Sequence, residues 1–189
     1  LRRLRKFARQ GAAEELDLDG TISATAREGG MLDIQMRPER HNAVKVLLFL
    51  DVGGSMDEHV YACESLFGAA KSEFKRLEHF YFHNCLYEAV WRDNARRWTD
   101  KTKTWDVLHT YPADYKVMFV GDASMSPYEI TVPGGSVEHI NEEPGALWIK
   151  RVSDIYRHCV WLNPLPEHHW DWTPSIGLMQ RLFGERMSS

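Results

Sequence analysis

Val44-Lys-Val-Leu-Leu-Phe-Leu-Asp51-Val-Gly-Gly-Ser55-Met56 is the stretch of sequence from which the fold can be predicted. Its first seven residues are mostly apolar and rich in Val and Leu, which is typical of a central strand buried on both faces. The two glycines permit a sharp turn before a helix. Ligands bind outside the carboxyl ends of strands in open α/β sheets, so Asp51 and Ser55 are expected at a binding edge. The alternative is a strand-turn-helix junction in which Ser55 only caps the helix.

The rest of the chain alternates predicted helices and strands. From about Glu58 to Leu77 apolar residues recur every three or four positions, which predicts a long helix. Aromatic and β-branched residues from Glu78 to Trp91 predict two adjacent strands around a tight turn. Further predicted elements are a short helix opening at Thr102 and ended by Pro112, a strand over 115–120, a loop insertion over 130–143, a helix over 144–157, a final strand over 159–162 and a final helix over 174–183. This order indicates an α/β fold: a doubly wound, mostly parallel central sheet flanked by helices, with the hairpin as an antiparallel edge.

The chain of 189 residues is long enough for one α/β domain with a small appendage. We assign residues 43–189 to that domain. Residues 1–42 form the appendage, in which residues 1–9 predict a short basic helix. Residues 17–27 and 31–36 predict a hairpin-like element around two glycines.

Composition excludes several classes of function. The net charge of −4 comes from interspersed acids and bases, which argues against a nucleic-acid or anionic-membrane surface. No apolar stretch approaches the roughly 20 residues that span a bilayer. The three cysteines, Cys63, Cys85 and Cys159, lie in or beside apolar segments without close pairing, which favours reduced thiols in a soluble, cytoplasmic protein.

A second acid, Asp122, follows the predicted strand over 115–120. Hydroxyl groups at Ser55, Thr102 and Ser124 lie in the adjoining loops. These side chains are hard oxygen donors, which suit Mg²⁺ or Mn²⁺ rather than zinc or copper. Mg²⁺ usually keeps several waters, so two or three protein ligands leave positions open for a carboxylate of a partner.

The motif Asp51-x-Gly53-x-Ser55-Met56, followed by Thr102 and Asp122, is similar to the metal-ion-dependent adhesion site of von Willebrand factor A (VWA) domains. The segments around Asp51 and Asp122, with Val160-Trp-Leu-Asn-Pro164 downstream, resemble the bacterial CoxE-like branch of these domains. The resemblance covers roughly residues 43–183. It implies a central sheet wrapped by helices, the VWA or Rossmann-like arrangement.

Carried over residue by residue, the resemblance implies that Asp51 and Ser55 supply the first metal-binding loop, Thr102 the second and Asp122 the third. Gly53 stands where the commoner pattern has a serine, which removes one hydroxyl ligand. Thr104 competes with Thr102, which is preferred because Leu108 then falls where the next helix of the family turns inward.

The resemblance implies a non-catalytic interaction module. Mg²⁺ would complete its coordination with an acidic side chain of a protein partner. Members of this branch are intracellular and often work beside MoxR-type AAA+ ATPases in metal-cofactor insertion or complex maturation, so the partner is expected to be such an ATPase or its client. The alternatives are a metal-dependent hydrolase, for which Glu129 and Asp57 are the nearby acids, and a metal-free scaffold.

Two other motifs are set aside. Asp17-Leu-Asp19-Gly-Thr21 matches the signature of haloacid-dehalogenase-type phosphatases, but no apolar strand precedes it. His168, His169 and Asp171 could assemble a transition-metal site, yet adjacent residues on an extended chain point to opposite sides. We expect an exposed loop there.

Overall fold

The computed structural model describes residues 14–16, 21, 24, 34–38 and 42–189. Its strands are β1 (Glu14–Leu16), β2 (Met36–Pro38), β3 (Asn42–Asp51), β4 (Phe74–Phe82), β5 (Ala89–Val90), β6 (Thr102–Lys103), β7 (Lys116–Val120), β8 (Cys159–Leu162) and β9 (Met187–Ser188). Its α-helices are α1 (Val60–Glu73), α2 (Thr104–Thr110), α3 (Pro127–Thr131), α4 (Gly145–Ile155) and α5 (Pro174–Phe183). Short 3₁₀ helices cover Gly54–His59, Asn94–Arg96, Glu167–Trp172 and Gly184–Arg186.

The central sheet has five parallel strands in the order β4-β3-β7-β8-β9. The apolar run that ends at Asp51 forms β3, which lies between β4 and β7 and is buried along residues 46–51. Helices connect successive strands of this sheet. The predicted α/β fold, a mostly parallel sheet flanked by helices, is therefore confirmed.

Alternate residues of β3 pack on opposite faces of the sheet, as the period of a strand requires. Leu47 and Phe49 belong to an apolar core with α2, α4 and α5. Val46 and Leu48 belong to a second core, against which apolar residues of α1 pack. The sheet thus has an apolar core on each face, which explains why the sequence of β3 is almost continuously apolar.

The helix after β3 is shorter than predicted. A 3₁₀ helix over Gly54–His59 precedes α1, and α1 ends at Glu73, where β4 begins directly at Phe74. The apolar spacing of a helix continues to Leu77, but residues 76–82 pair with residues 45–51 of β3. Pairing with a buried central strand outweighs the local helical pattern.

The predicted hairpin over Glu78–Trp91 is confirmed only in part: its two segments meet at antiparallel bridges but are not neighbouring strands of the central sheet. β4 pairs in parallel with β3 and forms an edge of the central sheet, while β5 pairs antiparallel with β6 in a separate two-stranded sheet. The two segments pair antiparallel only at isolated bridges, which join Tyr81 to Trp91 and His83 to Cys85. The chain leaves the sheet because Leu86 and Tyr87 are buried in the core beside it.

Two further elements differ from the predictions. β9 pairs with β8 as a short edge strand, so β8 is not the final strand. The segment after Asp122 contains α3, which begins at Pro127, and only the residues that follow it form the predicted loop. The short helix α2 begins at Thr104, because Thr102 and Lys103 form β6.

The amino-terminal part has an antiparallel pair of strands, β1 with β2. Thr21 and Ala24 are helical and buried, so the extended segment predicted over 17–27 is wrong at these two residues. The predicted basic helix over residues 1–9 and the glycine turn at 29–30 lie outside the described residues. The division at residue 42 stays a prediction. None of the helices in the described residues is long and apolar enough to cross a membrane.

Candidate metal-ion site

Asp51 and Asp122 lie together at the carboxyl edge of the central sheet. Asp51 ends β3, and Asp122 follows β7, whose last residue, Val120, pairs with Leu50. The backbone between the two acids is closely packed: a Cβ atom added to Gly121 would lie 2.8 Å from Asp51 Cβ and 3.0 Å from Asp51 Oδ2. The two strand ends therefore bring two carboxylates to one place.

Asp51 is buried and only half of its carboxylate is hydrogen-bonded. Oδ1 accepts from the backbone N–H groups of Gly53 and Asn84, each at 2.8 Å. Oδ2 is buried without a hydrogen-bond partner. Burial raises the pKa of Asp51 from 3.8 to about 7; the two backbone hydrogen bonds oppose this shift, and the negative charges of Asp122 and Glu129 add to it. An unpartnered buried carboxylate oxygen needs a proton or a cation.

Asp122 is held by its surroundings on several sides. Its Oδ1 accepts from Ser124 N at 3.0 Å, and its carbonyl accepts from Asn163 Nδ2 at 2.7 Å. Its own N–H donates to Met56 Sδ at 3.2 Å, which ties this loop to the turn after β3. Ser175, at the start of α5, donates from Oγ to the carbonyl of the next residue, Ala123, at 2.7 Å. These contacts fix the position of the second carboxylate.

The predicted hydroxyl ligands are less closely associated with this pair. Ser55 is exposed on the 3₁₀ helix after β3. Thr102 is half-buried on β6, opposite Val90, and Thr104 is fully buried and donates its hydroxyl to the carbonyl of Tyr87. No hydrogen bond within the described part of the chain joins either threonine to Asp51 or Asp122.

Asn84 and Glu129 complete the buried cluster; the sequence indicates Glu129 only as a nearby acid and gives Asn84 no role. Asn84 donates from Nδ2 to Glu129 Oε1 at 2.9 Å, and Tyr87 donates from its hydroxyl to Glu129 Oε2 at 3.0 Å. Glu129 is 1% exposed. Its sequence position, in the first turn of a helix after a proline, suggests only a favourable dipole interaction. An asparagine in a turn is likewise ordinary, so neither residue carried a signal of its role.

An open groove of about 360 Å³ lies beside Asp51. Its wall includes apolar side chains of α1 such as Val60 and Phe67, together with Tyr81 of β4. Val60 is about half exposed, at 49%, although it is apolar. The buried carboxylate is thus reached from a partly apolar surface.

The other candidate residues lie elsewhere. His168, His169 and Asp171 are exposed on the 3₁₀ helix over Glu167–Trp172. In the described residues no group of three or more His, Cys, Asp and Glu side chains has the arrangement of a metal site. Thr21 accepts a hydrogen bond from Gln35 N at 2.9 Å, and the two acids of that phosphatase-like motif lie outside the described residues.

The chemistry of the edge fits a small hard cation. The orphaned Asp51 Oδ2 and the neighbouring Asp122 carboxylate offer negatively charged oxygens, which Mg²⁺ prefers. All four predicted ligands, Asp51, Ser55, Thr102 and Asp122, stay predictions.

The model of a family described as "VWA domain containing CoxE-like protein" matches residues 1–90, which include the turn after β3. No curated protein and no solved structure is significantly similar to the chain.

Proposed function

We propose that this chain, whose residues 1–90 match the family of CoxE-like VWA domain proteins, is a non-catalytic interaction module with a metal-dependent adhesion site. Asp51 and Asp122 would hold Mg²⁺ or Mn²⁺, with Ser55 and Thr102 as the further ligands that the family motif implies. When bound, the cation would supply open coordination positions for an acidic side chain of a partner protein.

The observation that carries the proposal is the unpartnered Oδ2 of Asp51 next to Asp122. Without a cation, the negative charge of Asp122 lies beside that of Asp51, and burial penalises the charge of Asp51. Such an arrangement costs stability. A bound cation would offset this cost, and its open coordination positions would remain available to a partner.

The surface around the acids also favours a protein as the partner. The groove beside Asp51 has an apolar wall from Val60 and Phe67, which would contact apolar side chains next to the partner's acid. We propose a MoxR-type AAA+ ATPase, or a client of one, as that partner, in the cytoplasm of a bacterium. This follows from the family resemblance rather than from any contact in the structure.

The geometry favours binding over hydrolysis. Glu129, the nearest candidate for a general base, accepts hydrogen bonds at both carboxylate oxygens, from Asn84 and Tyr87. Both of its oxygens therefore already have a protein partner. The other acid considered, Asp57, is exposed on the 3₁₀ helix. Phosphatase or esterase turnover that Asp122→Ala abolishes would favour the hydrolase instead.

Co-purification tests the proposed partner. Tagged wild-type protein is expected to retain a MoxR-type ATPase from the same organism in Mg²⁺ and to lose it in excess EDTA. Asp122→Ala should lose it under both conditions. Asp57→Ala is the matched control, because Asp57 also lines the groove but is exposed, and it should retain the ATPase. Equal retention by all three proteins in EDTA would instead indicate a metal-free scaffold.

A further inference from the structure

Residue 53 is a glycine where the commoner family pattern has a serine, and the structure shows what fills that space. A Cβ atom added to Gly53 would lie 2.0 Å from Asn84 Oδ1 and 3.2 Å from Asn84 Cγ. The same position is 3.3 Å from Asp51 Oδ1. The amide oxygen of Asn84 therefore occupies the volume that a side chain at position 53 would need.

The orientation of the Asn84 amide follows from its partner on the other side. Glu129 Oε1 accepts a hydrogen bond, so the NH₂ group of Asn84 must face it, and the amide oxygen must face Gly53. No hydrogen bond within the described residues ends on that oxygen. The amide thus presents a free oxygen toward the first metal-binding loop.

The backbone of Asn84 is held in place as well. Its N–H donates to Asp51 Oδ1 at 2.8 Å, and the residue is 8% exposed. Its φ angle is +57°, in the left-handed region that asparagine tolerates better than most residues. One residue therefore contacts the Asp51 carboxylate through its backbone and Glu129 through its side chain.

We propose that Asn84 Oδ1 is a metal ligand that replaces the serine hydroxyl missing at position 53. The inference rests on the proposed function, because it concerns the same Mg²⁺ site. An amide carbonyl oxygen is a neutral hard donor, as a serine hydroxyl is, and asparagine carbonyls coordinate such cations in proteins. The oxygen comes from the turn after β4 instead of the turn after β3.

If Asn84 replaces the serine ligand, the effect of a substitution at position 53 should depend on the residue at position 84. Serine at position 53 cannot coexist with Asn84 unless one of them moves, because of the 2.0 Å approach. Glycine at position 84 frees the space and suits the positive φ angle. Serine at 53 combined with glycine at 84 would then restore an oxygen at the first loop.

The test measures Mg²⁺ affinity by isothermal titration calorimetry, and Mn²⁺ binding by electron paramagnetic resonance, on the wild type and three folded variants of the full chain. Asn84→Gly is expected to weaken binding by roughly tenfold or more. The double variant Gly53→Ser/Asn84→Gly should recover affinity to within about threefold of wild type. Asn94→Ala is the matched control: Asn94 lines the same groove and its side chain accepts from Trp91 Nε1, so the Mg²⁺ affinity of this variant should be unchanged.

The outcomes separate this inference from the proposed function. Wild-type affinity in Asn84→Gly, or no gain in the double variant over Asn84→Gly, would overturn the role of Asn84 while the Mg²⁺ site stands. Absence of Mg²⁺ binding by the wild type would remove the proposed function and this inference with it. Gly53→Ser alone should lower the melting temperature in EDTA, and an unchanged melting temperature would contradict the close approach.

Discussion

At the scale of single residues, the buried carboxylate of Asp51 is the least favourable charge of the candidate site. Burial raises the pKa of its carboxyl to about 7 in the absence of a cation. A raised pKa means that the folded state holds the proton more tightly than the unfolded state. The stability that the protonated form contributes is therefore fully present below about pH 4, and it is lost as the pH rises through 7.

Asp51→Asn should remove this pH dependence. The amide oxygen of asparagine can still accept from the N–H groups of Gly53 and Asn84, but no charge forms. In EDTA at pH 8 we expect the variant to be more stable than wild type by up to about 4 kcal/mol, with a smaller difference at pH 5. Urea denaturation at both pH values measures this. A constant difference across the range would contradict the buried, unpaired charge.

Gly121 is the second residue on which the site depends. A Cβ atom there would lie 2.8 Å from Asp51 Cβ and 3.1 Å from Trp161 Cζ2. Gly121→Ala is expected to destabilise the protein by about 1–3 kcal/mol, because the core around it is closely packed. Gly177→Ala is the control, since a Cβ atom there meets nothing within 4 Å and lies inside α5. It should gain roughly 1 kcal/mol in chemical denaturation.

Asp51 and Asp122 could be predicted from sequence because each follows an apolar run that is recognisable by itself. Asn84 could not, because its importance comes from its contact with Glu129, 45 residues further along the chain. Thr104 illustrates the same limit: its hydroxyl is committed to Tyr87, which only the tertiary structure reveals.

At the scale of elements, one side chain holds the start of α4. Glu88 Oε1 accepts from the backbone N–H groups of Glu142 and Glu143, at 3.0 and 2.9 Å, and from Trp148 Nε1 at 3.4 Å. Three donors, two just before α4 and one within it, therefore share one carboxylate oxygen. This contact ties the loop after α3 to the segment that precedes β5.

Glu88→Ala should cost about 2 kcal/mol of stability, since three donors lose their acceptor. Glu88→Gln keeps an acceptor oxygen and is expected to lose less than half of that. Hydrogen exchange should also increase at residues 142–148 in the alanine variant. If alanine and glutamine variants unfold at the same urea concentration as wild type, the contact does not hold α4.

The elements that could be predicted are those whose pattern agrees with their environment. Helices α4 and α5 have a clear apolar stripe and occur where expected. The hairpin prediction holds only in part because β-forming residues specify a strand but not its partner: seven residues of β4 pair in register with β3. Strand β9 has two residues, too few for a periodic signal.

At the scale of the whole molecule, the histidines and Asp51 act on stability in opposite directions. Burial lowers the pKa of His79, His83, His139 and His158 below the ordinary value of 6.5. A lowered pKa means that the unfolded state takes up protons first as the pH falls. The stability contributed by the neutral histidines is thus present above pH 6.5 and is lost below it.

Below pH 6.5 these two contributions therefore change the stability of the wild-type protein in EDTA in opposite directions, and above about pH 8 neither changes further. Adding Mg²⁺ should raise stability mainly on the alkaline side, where Asp51 is ionised and can bind the cation. Melting temperatures between pH 5 and 9, with and without Mg²⁺, measure both effects. A Mg²⁺ effect of equal size at pH 5 and pH 9 would contradict a role for Asp51.

The central claim is that Asp51 and Asp122 hold a divalent cation together, and calorimetric titration of Mg²⁺ tests it most directly. We expect saturable binding of one ion to the wild type, and none to Asp51→Ala or Asp122→Ala. Asp57→Ala should bind as the wild type does. Equal heats for the wild type and both site variants would contradict the account.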